Sequence, residues 1–240
     1  MKRLTIYKDQ ARYYDLIYSW KDYKKEAETI RQLIAKHKKS TGRDLLEVAC
    51  GTGGHIQYLK DHFRATGTDI NNGMLGVARK KVKGVRFQQA DIVTLNLGRE
   101  FDAIICIFSS IGYLRTDAAL KKTLRNFTRH LKTEGVVIIE PWLTKGGYTK
   151  GHPAMGTYGD DNTKIARLSV SNVRGDISIM DMHHLIAERN KGVKYFIDRH
   201  ELRMVEPKRI LQFMREAGLR AKFIKDGFTA GRGLYIGVKA

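Results

Sequence analysis

DLLEVACGTGGHIQYL, residues 44–59, runs from an oily stretch into a glycine-rich loop and then resumes apolar spacing. A short apolar run, a cluster of glycines and a helical pattern in succession are the mark of a strand–turn–helix unit of an α/β fold. A triphosphate-binding loop of this kind carries Gly-x-x-x-x-Gly-Lys-Ser/Thr, and here the lysine is missing. A dinucleotide fingerprint is Gly-x-Gly-x-x-Gly, and here Gly51-Thr52-Gly53-Gly54 leads into His55, so the third glycine is misplaced. Glu47 interrupts the oily run, and a buried carboxylate is costly unless something pairs with it.

The same alternation extends outward. Ala27, Ile30, Leu33 and Ile34 share one face of a helix over 22–38. Strands are expected over 45–49, 64–69, 85–89, 101–108 and 136–140. Helices are expected over 55–59 and 72–81, and through Leu120, Leu124, Phe127 and Leu131, where Gly135 ends the last of them. Strands that are apolar throughout and alternate with helices predict a parallel sheet covered on both faces. After Pro141 the pattern changes. Residues 142–163 are rich in Gly, Thr and Tyr, and rough alternation over 166–173, 177–184 and 193–202 suggests antiparallel strands. Pro207 opens a helix carrying Ile210, Leu211 and Met214, Gly218 closes it, and 234–238 is a last strand. The expected fold is α/β: a doubly wound sheet with a small antiparallel β insertion before the last helix and strand. The expected division is 1–141 with 205–240 as one domain, headed by a helical lid, and 142–204 as the inserted layer.

Composition narrows the class. A hydrophobic fraction of 42% in 240 residues supports a substantial core. There is no run of eighteen apolar residues and no apolar signal core in residues 1–8, so the chain reads as cytoplasmic, with no membrane partner. Cys50 and Cys106 lie in apolar runs and read as buried thiols rather than a disulfide or zinc pair. His183, His184 and His200 lack ligand spacing with acids or cysteines and read as strand residues; no metal is expected. The formal net charge of +19 is scattered over helix faces, with short clusters at 36–39 and 79–83. It reads mainly as solvated surface, with an anionic partner kept as the alternative.

The acids carry the chemistry. Asp69 ends the second strand, where a carboxylate can accept both hydroxyls of a ribose. Asp91 follows the third strand and could accept from an adenine amino group. Glu47, Asp69 and Asp91 around one glycine turn suit a cationic ligand bearing ribose and adenine, and do not suit a polyphosphate. At these residues the sequence resembles the class I methyltransferases with their Rossmann-like fold: LLEVACGTGGH looks like the first motif, GTDINNGML the second and QQADI the adenine motif. The resemblance implies S-adenosylmethionine as methyl donor and S-adenosylhomocysteine as product. Glu47 would then orient the methionine amine, with Ala49, Cys50 and Gly51 running beside the methionine portion. Asp69 would take the ribose, Asp91 and Ile92 the adenine, Ile107 the pocket floor, and Ile70 and Met74 would complete the donor site.

Four further stretches, YYDLIYSWKDYKKEA, FSSIGYL, EPWL and GRGLYIGV, make the chain similar to N,N-dimethyltransferases of nucleotide-linked amino sugars, of the desosamine and mycaminose type. That resemblance places Tyr14 in a lid over the reacting centre and Tyr113 beside the acceptor amine, the two residues expected to act in catalysis. Lys21 and Tyr23 would touch the methionine carboxylate or cap the pocket, and Glu140, Trp142 and Arg232 would face the acceptor. WLTKGG departs from the family pattern, in which a second aromatic and a Phe-Pro pair follow the tryptophan, and this bears on the sugar and nucleotide contacts. The acceptor expected is a small-molecule amine. In-line positioning carries the chemistry, with no strong general base assigned. Two alternatives stay open: an RNA base methyltransferase, motivated by the charge, and a non-catalytic donor-binding subunit. The inserted layer could cover the active site, form a homodimer, or both.

Overall fold

The computed structural model describes residues 6, 7 and 10–240. Of the first eight residues, read above for a signal core, all but Ile6 and Tyr7 lie outside the described residues. After a short lid helix α1 (Tyr14–Ile17) comes α2 (Tyr23–His37), whose first turn is capped by Asp22 accepting the Lys25 amide at 2.9 Å. The parallel core follows: β1 (Asp44–Val48), α3 (Ile56–Leu59), β2 (Arg64–Asp69), α4 (Asn72–Lys81), β3 (Arg86–Gln89), β4 (Phe101–Cys106), α5 (Asp117–His130) and β5 (Leu131–Ile139). Four strands, β6 (Pro153–Gly159), β7 (Thr163–Arg174), β8 (Ile177–Glu188) and β9 (Gly192–Arg203), make the insertion. The chain closes with α6 (Pro207–Glu216), β10 (Leu219–Ile224) and β11 (Leu234–Lys239).

The main sheet has seven strands in the order β10-β11-β5-β4-β1-β2-β3. β1 pairs in parallel with both β2 and β4, so the strand order reverses direction between β1 and β4. In open α/β sheets that switch point opens a crevice outside the strand ends, where ligands bind. Every residue of β1 and β4 is buried, with helices packed on both faces of the sheet, which explains why those strands read as unbroken oil.

The insertion is an antiparallel meander, β6-β7-β8-β9. Its inner face sets Ile165, Ile186 and Phe196 against Tyr13, Tyr14 and Ile17 of the lid. Among the described residues no helix is long and apolar enough to cross a membrane.

Three elements differ from the sequence reading. β6 was not expected, because Pro153, Gly156 and Gly159 hide an edge strand. β10 was not expected either: Leu219, Ala221 and Phe223 alternate with exposed Arg220 and Lys222, a readable signal in a six-residue edge strand that the sequence reading passed over. The helix carrying Leu124 and Phe127 ends at His130 rather than at Gly135, and Leu131 already belongs to β5. Between Phe101↔Leu131 and Ala103↔Val136 the register shifts, with Glu134 in left-handed backbone at φ 62°. Gly135 serves that bulge: a Cβ there would sit 2.8 Å from the Lys132 carbonyl oxygen.

A buried acid holds the base of β1. Asp102, 1% exposed, accepts the amides of Gly42 (3.0 Å) and Asp44 (2.9 Å) and pairs with Lys132 at 2.8 Å. Burial works against its charge, but Lys132 and the Asp44 amide outweigh it and hold its carboxyl below the usual range. The Arg64 hydrogen bond to Asp44 lowers that carboxyl to about 2, with Lys132 adding to it against burial. Both pKa values are depressed by folding. Their contribution is therefore present above the unfolded carboxylate value near 4 and is lost as pH falls through the folded values. Thermal unfolding followed against pH should show Asp44→Asn flattening the acid-side loss of stability; an acid limb of unchanged slope contradicts this assignment.

Candidate active site

At the switch point, the exit of β1 makes a tight turn. Ala49 (φ 55°), Gly51 (φ 55°) and Gly53 (φ 78°) all adopt left-handed backbone, where glycine is at ease and Ala49 is strained. Asp69, at the end of β2, ties this turn down: one carboxylate oxygen accepts the Gly51 amide at 2.9 Å and the other the Asn71 amide at 2.8 Å. Burial raises the Asp69 pKa, with these two amides opposing. Gly54 leaves room for the lid, since a Cβ there would meet the Tyr23 ring at 2.4 Å. Thr52 donates to Asp15 of α1, and Lys81 of α4 pairs with the same carboxylate at 2.7 Å. The lid is thus moored directly to the glycine turn.

Between turn and lid lies a cavity of about 440 Å³. Of the residues singled out from the sequence, Tyr14, Tyr23, Glu47, Ala49, Cys50, Gly51, Asp69, Ile70, Met74, Asp91, Ile92, Ile107 and Tyr113 line it. Lys21, Glu140, Trp142 and Arg232 are not in the lining. The Lys21 ammonium is buried, ion-paired to Glu26, and stacked 4.5 Å over the Phe108 ring. Arg232 lies behind Phe108, its guanidinium 4.5 Å from the Trp142 ring and 5.6 Å from that of Phe108. Burial lowers the Arg232 pKa, with the Glu140 charge opposing. Glu140 accepts the Phe108 amide at 2.7 Å, while its other oxygen and the Arg232 Nε are buried without a hydrogen-bond partner among the described residues. Trp142 donates to Ser178 at 2.8 Å. Cys50 and Cys106 are free, buried thiols.

Glu47 decides what the cavity can hold. It is 3% exposed; one oxygen lies 3.3 Å from His55 Nδ1, and Oε2 is buried with no hydrogen-bond partner among the described residues. A carboxylate oxygen left bare in a buried site is an acceptor kept for a cationic or N–H-bearing ligand. Asp69 and Asp91 present two more carboxylates along the same wall, each oxygen with lone pairs beyond those used by local amides. This set of acceptors fits a ligand with an ammonium at one end and a ribose and adenine at the other. Tyr7, Tyr14 and Tyr18 roof the lid side, with ring centroids 6.0 Å apart for the first pair and 4.7 Å for the second.

Sequence reasoning passed over several residues here. His55 joins Glu47 to Glu26, the latter at 2.8 Å, and its place directly after the glycines is a readable signal. Tyr7 lines the cavity but sits in a stretch that carries no motif. Asp198 and His200 lie on the inner face of β9, two residues apart, and their Asp-x-His spacing on a strand was the available cue. His184 shares that face and stacks on Phe196 at 4.7 Å, whereas His183 faces outward toward Tyr195.

Burial alone would lower the His55 pKa, but Glu26 and Glu47 outweigh it and raise it. A folded pKa above the unfolded one gives stability that is complete below about 6.5 and lost as pH rises through the folded value. The gap in melting temperature between wild type and His55→Gln should be widest in acid and should narrow as pH rises; a gap independent of pH contradicts the ion-pair account.

Residues 45–135 match the family described as a methyltransferase domain. A Streptomyces venezuelae dTDP-3-amino-3,4,6-trideoxy-α-D-glucopyranose N,N-dimethyltransferase is 35% identical over 97% of this chain and 98% of its own. The crystal structure of Streptomyces venezuelae DesVI superposes with a TM-score of 0.91 at 34% identity, covering 97% of this chain and 99% of that one. The sugar N-methyltransferase KedS8 of a Streptoalloteichus species gives 0.87 at 34%, over 94% and 92% of the two chains. The chain is an S-adenosylmethionine-dependent N-methyltransferase, and it belongs to the family of sugar N,N-dimethyltransferases.

Proposed function

We propose that the cavity at the β1–β4 switch point holds S-adenosylmethionine, and that the methyl group passes to the amine of a nucleotide-linked amino sugar. The observation that carries this reading is the bare, buried Oε2 of Glu47, set beside Asp69 and Asp91 on one wall. The acceptor class follows from the relatives, whose names specify dTDP-linked amino sugars. In this reading Glu47 takes the donor's ammonium, and Ala49, Cys50 and Gly51 pass beside its methionine part. Asp69 takes the ribose hydroxyls, Asp91 and Ile92 the adenine. Ile107 forms the floor, while Ile70 and Met74 close the sides. Lys21 acts indirectly, through Glu26 and His55 to Glu47.

The bound donor supplies a methyl group already activated on a sulfonium. The chain's own part is to orient the amine, exclude water and close the lid, and such alignment is worth about 7–11 kcal/mol. Tyr14 covers the reacting centre and Tyr113, at the cavity mouth, orients the amine. Glu140, Trp142 and Arg232 form the acceptor side, reached past Phe108, where Glu140 Oε1 and Arg232 Nε offer free hydrogen-bonding capacity. The insertion is proposed to pair with a second copy of the chain as well. Met155, Leu168, Val170, Leu185, Val193 and Tyr195 all project to its outer face and are all exposed.

Two observations favour a second reading, with RNA as acceptor: the +19 charge and an open groove on the β10 edge lined by His37, Arg215, Arg220 and Lys222. That groove sits at the opposite edge of the sheet from β3, away from the switch point.

Three outcomes are expected. Glu47→Gln should weaken S-adenosylhomocysteine binding about 10- to 100-fold by calorimetry, the loss of one charged hydrogen bond; an unchanged Kd would refute the assignment. With a labelled methyl donor offered separately to dTDP-amino sugars and to total RNA, label should enter the sugars; label in RNA alone favours the second reading. In light scattering coupled to size exclusion, the chain should elute as a dimer and Leu185→Glu should yield monomer, while a monomeric wild type removes the pairing proposal.

A further inference from the structure

A hydrogen-bond chain at the mouth of the cavity has no role in the donor site proposed above. The Tyr113 hydroxyl lies 2.6 Å from His200 Nδ1 and 3.0 Å from the Tyr7 hydroxyl. His200 Nε2 lies 3.0 Å from Asp198 Oδ2. Asp198 and His200, 3% and 4% exposed, are polar groups buried on the inner sheet face that also carries Ile165, Ile186, Phe196 and the buried His184. Buried polar groups of this kind carry a desolvation cost that a purely apolar face avoids.

The directions of the bonds follow from the groups. Asp198 also accepts the Ile6 amide, at 3.3 Å, and as a carboxylate it can only accept. His200 therefore carries its proton on Nε2, and its Nδ1 is bare. The Tyr113 hydroxyl donates to that nitrogen, so the hydrogen between the two tyrosines comes from Tyr7. Tyr113 is left with an oxygen lone pair facing the cavity it lines. Burial raises the Tyr113 pKa, against the Tyr7 hydrogen bond, so this tyrosine works as a neutral link and not as a standing phenolate.

We propose that His200 and Asp198 act through Tyr113 as the proton acceptor for the amine being methylated. The proposal rests on the reading above, that donor and acceptor amine meet in this cavity. Each transfer forms an N–C bond, breaks an S–C bond and leaves the product nitrogen as an ammonium. A second methyl can be accepted only after that ammonium has lost its proton. The ammonium N–H bond breaks toward Tyr113 Oη while the Tyr113 hydroxyl proton moves to His200 Nδ1. The resulting imidazolium is paired with Asp198. After the product leaves, the proton returns through Tyr113, which is 41% exposed, to solvent. His200 and Asp198 are positioning residues in this scheme, and Tyr113 is the group that touches the amine.

The titratable groups facing His200 are Tyr7, Tyr113, Asp198 on its own strand and His184 on β8. Burial, with the Arg167 charge, holds His184 at about 4, so it stays neutral over the working range and does not supply the expected pH limb.

The test uses His200→Asn, whose amide oxygen can accept from Tyr113 but cannot take a proton. With dTDP-3-amino-3,6-dideoxy-α-D-glucopyranose as acceptor, its kcat/KM should fall about 10- to 100-fold at neutral pH and approach wild type near pH 9, where bulk base deprotonates the amine. Monomethylated sugar should accumulate at neutral pH, and the Kd for S-adenosylhomocysteine should not move. Tyr113→Phe should show the same pH dependence, and the double variant should be no worse than Tyr113→Phe alone. A pH-independent loss, or a wild-type product ratio in His200→Asn, overturns the relay while leaving the functional reading intact. A wild type that binds the donor but methylates no amino sugar overturns both.

Discussion

The hydrogen bond from the Gly51 amide to the Asp69 carboxylate, 2.9 Å long, is the contact on which the rest of the site depends. It bends the exit of β1 back toward β2 and keeps Ala49 and Gly51 in left-handed backbone. With the turn fixed, Glu47 ends up beneath it with one oxygen bare, and the lid can be moored to Thr52 through Asp15. A single acid thus sets both the shape of the loop and the wall facing the ligand. In the function proposed above, a glycine turn lacking the phosphate-binding lysine serves as a binding site through these carboxylates.

Much of this was legible in the sequence because the parallel core obeys local rules. β1 and β4 are buried along their whole length, so their apolar runs announce them, and α4 begins and ends at the residues its cap and basic last turn indicate. The acids at the strand ends could be read the same way, since Asp69 and Asp91 interrupt or close otherwise regular patterns. What local rules encode poorly is a glycine-bearing edge strand. β6 pairs on one side only, and its exposed, glycine-bearing residues leave little periodic signal, whereas the edge strand β10 does alternate over Leu219, Arg220, Ala221, Lys222 and Phe223 and was legible.

The side chains away from the cavity show a second limit. Lys21 sits close in sequence to the lid tyrosines, yet Glu26 draws its ammonium into a buried pair. Glu140 and Arg232 come from distant segments and both touch Phe108, which with Ser109 adopts left-handed backbone at φ 58° and 65° at the β4 exit. Tyr113, His200 and Asp198 converge in the same manner, from a short helical turn after β4 and from the last strand of the insertion. The inserted sheet therefore does more than cover the site. It brings a buried Asp–His pair within hydrogen-bonding reach of a tyrosine that lines the cavity.

The central claim is that Glu47, Asp69 and Asp91 form one recognition wall for the methyl donor. A crystal structure of the protein with S-adenosylhomocysteine tests this most directly. The account predicts the ligand's ammonium within hydrogen-bond distance of Glu47 Oε2, its ribose on Asp69 and its adenine beside Asp91. A ligand bound elsewhere, or one bound here with Glu47 Oε2 still bare, would contradict it.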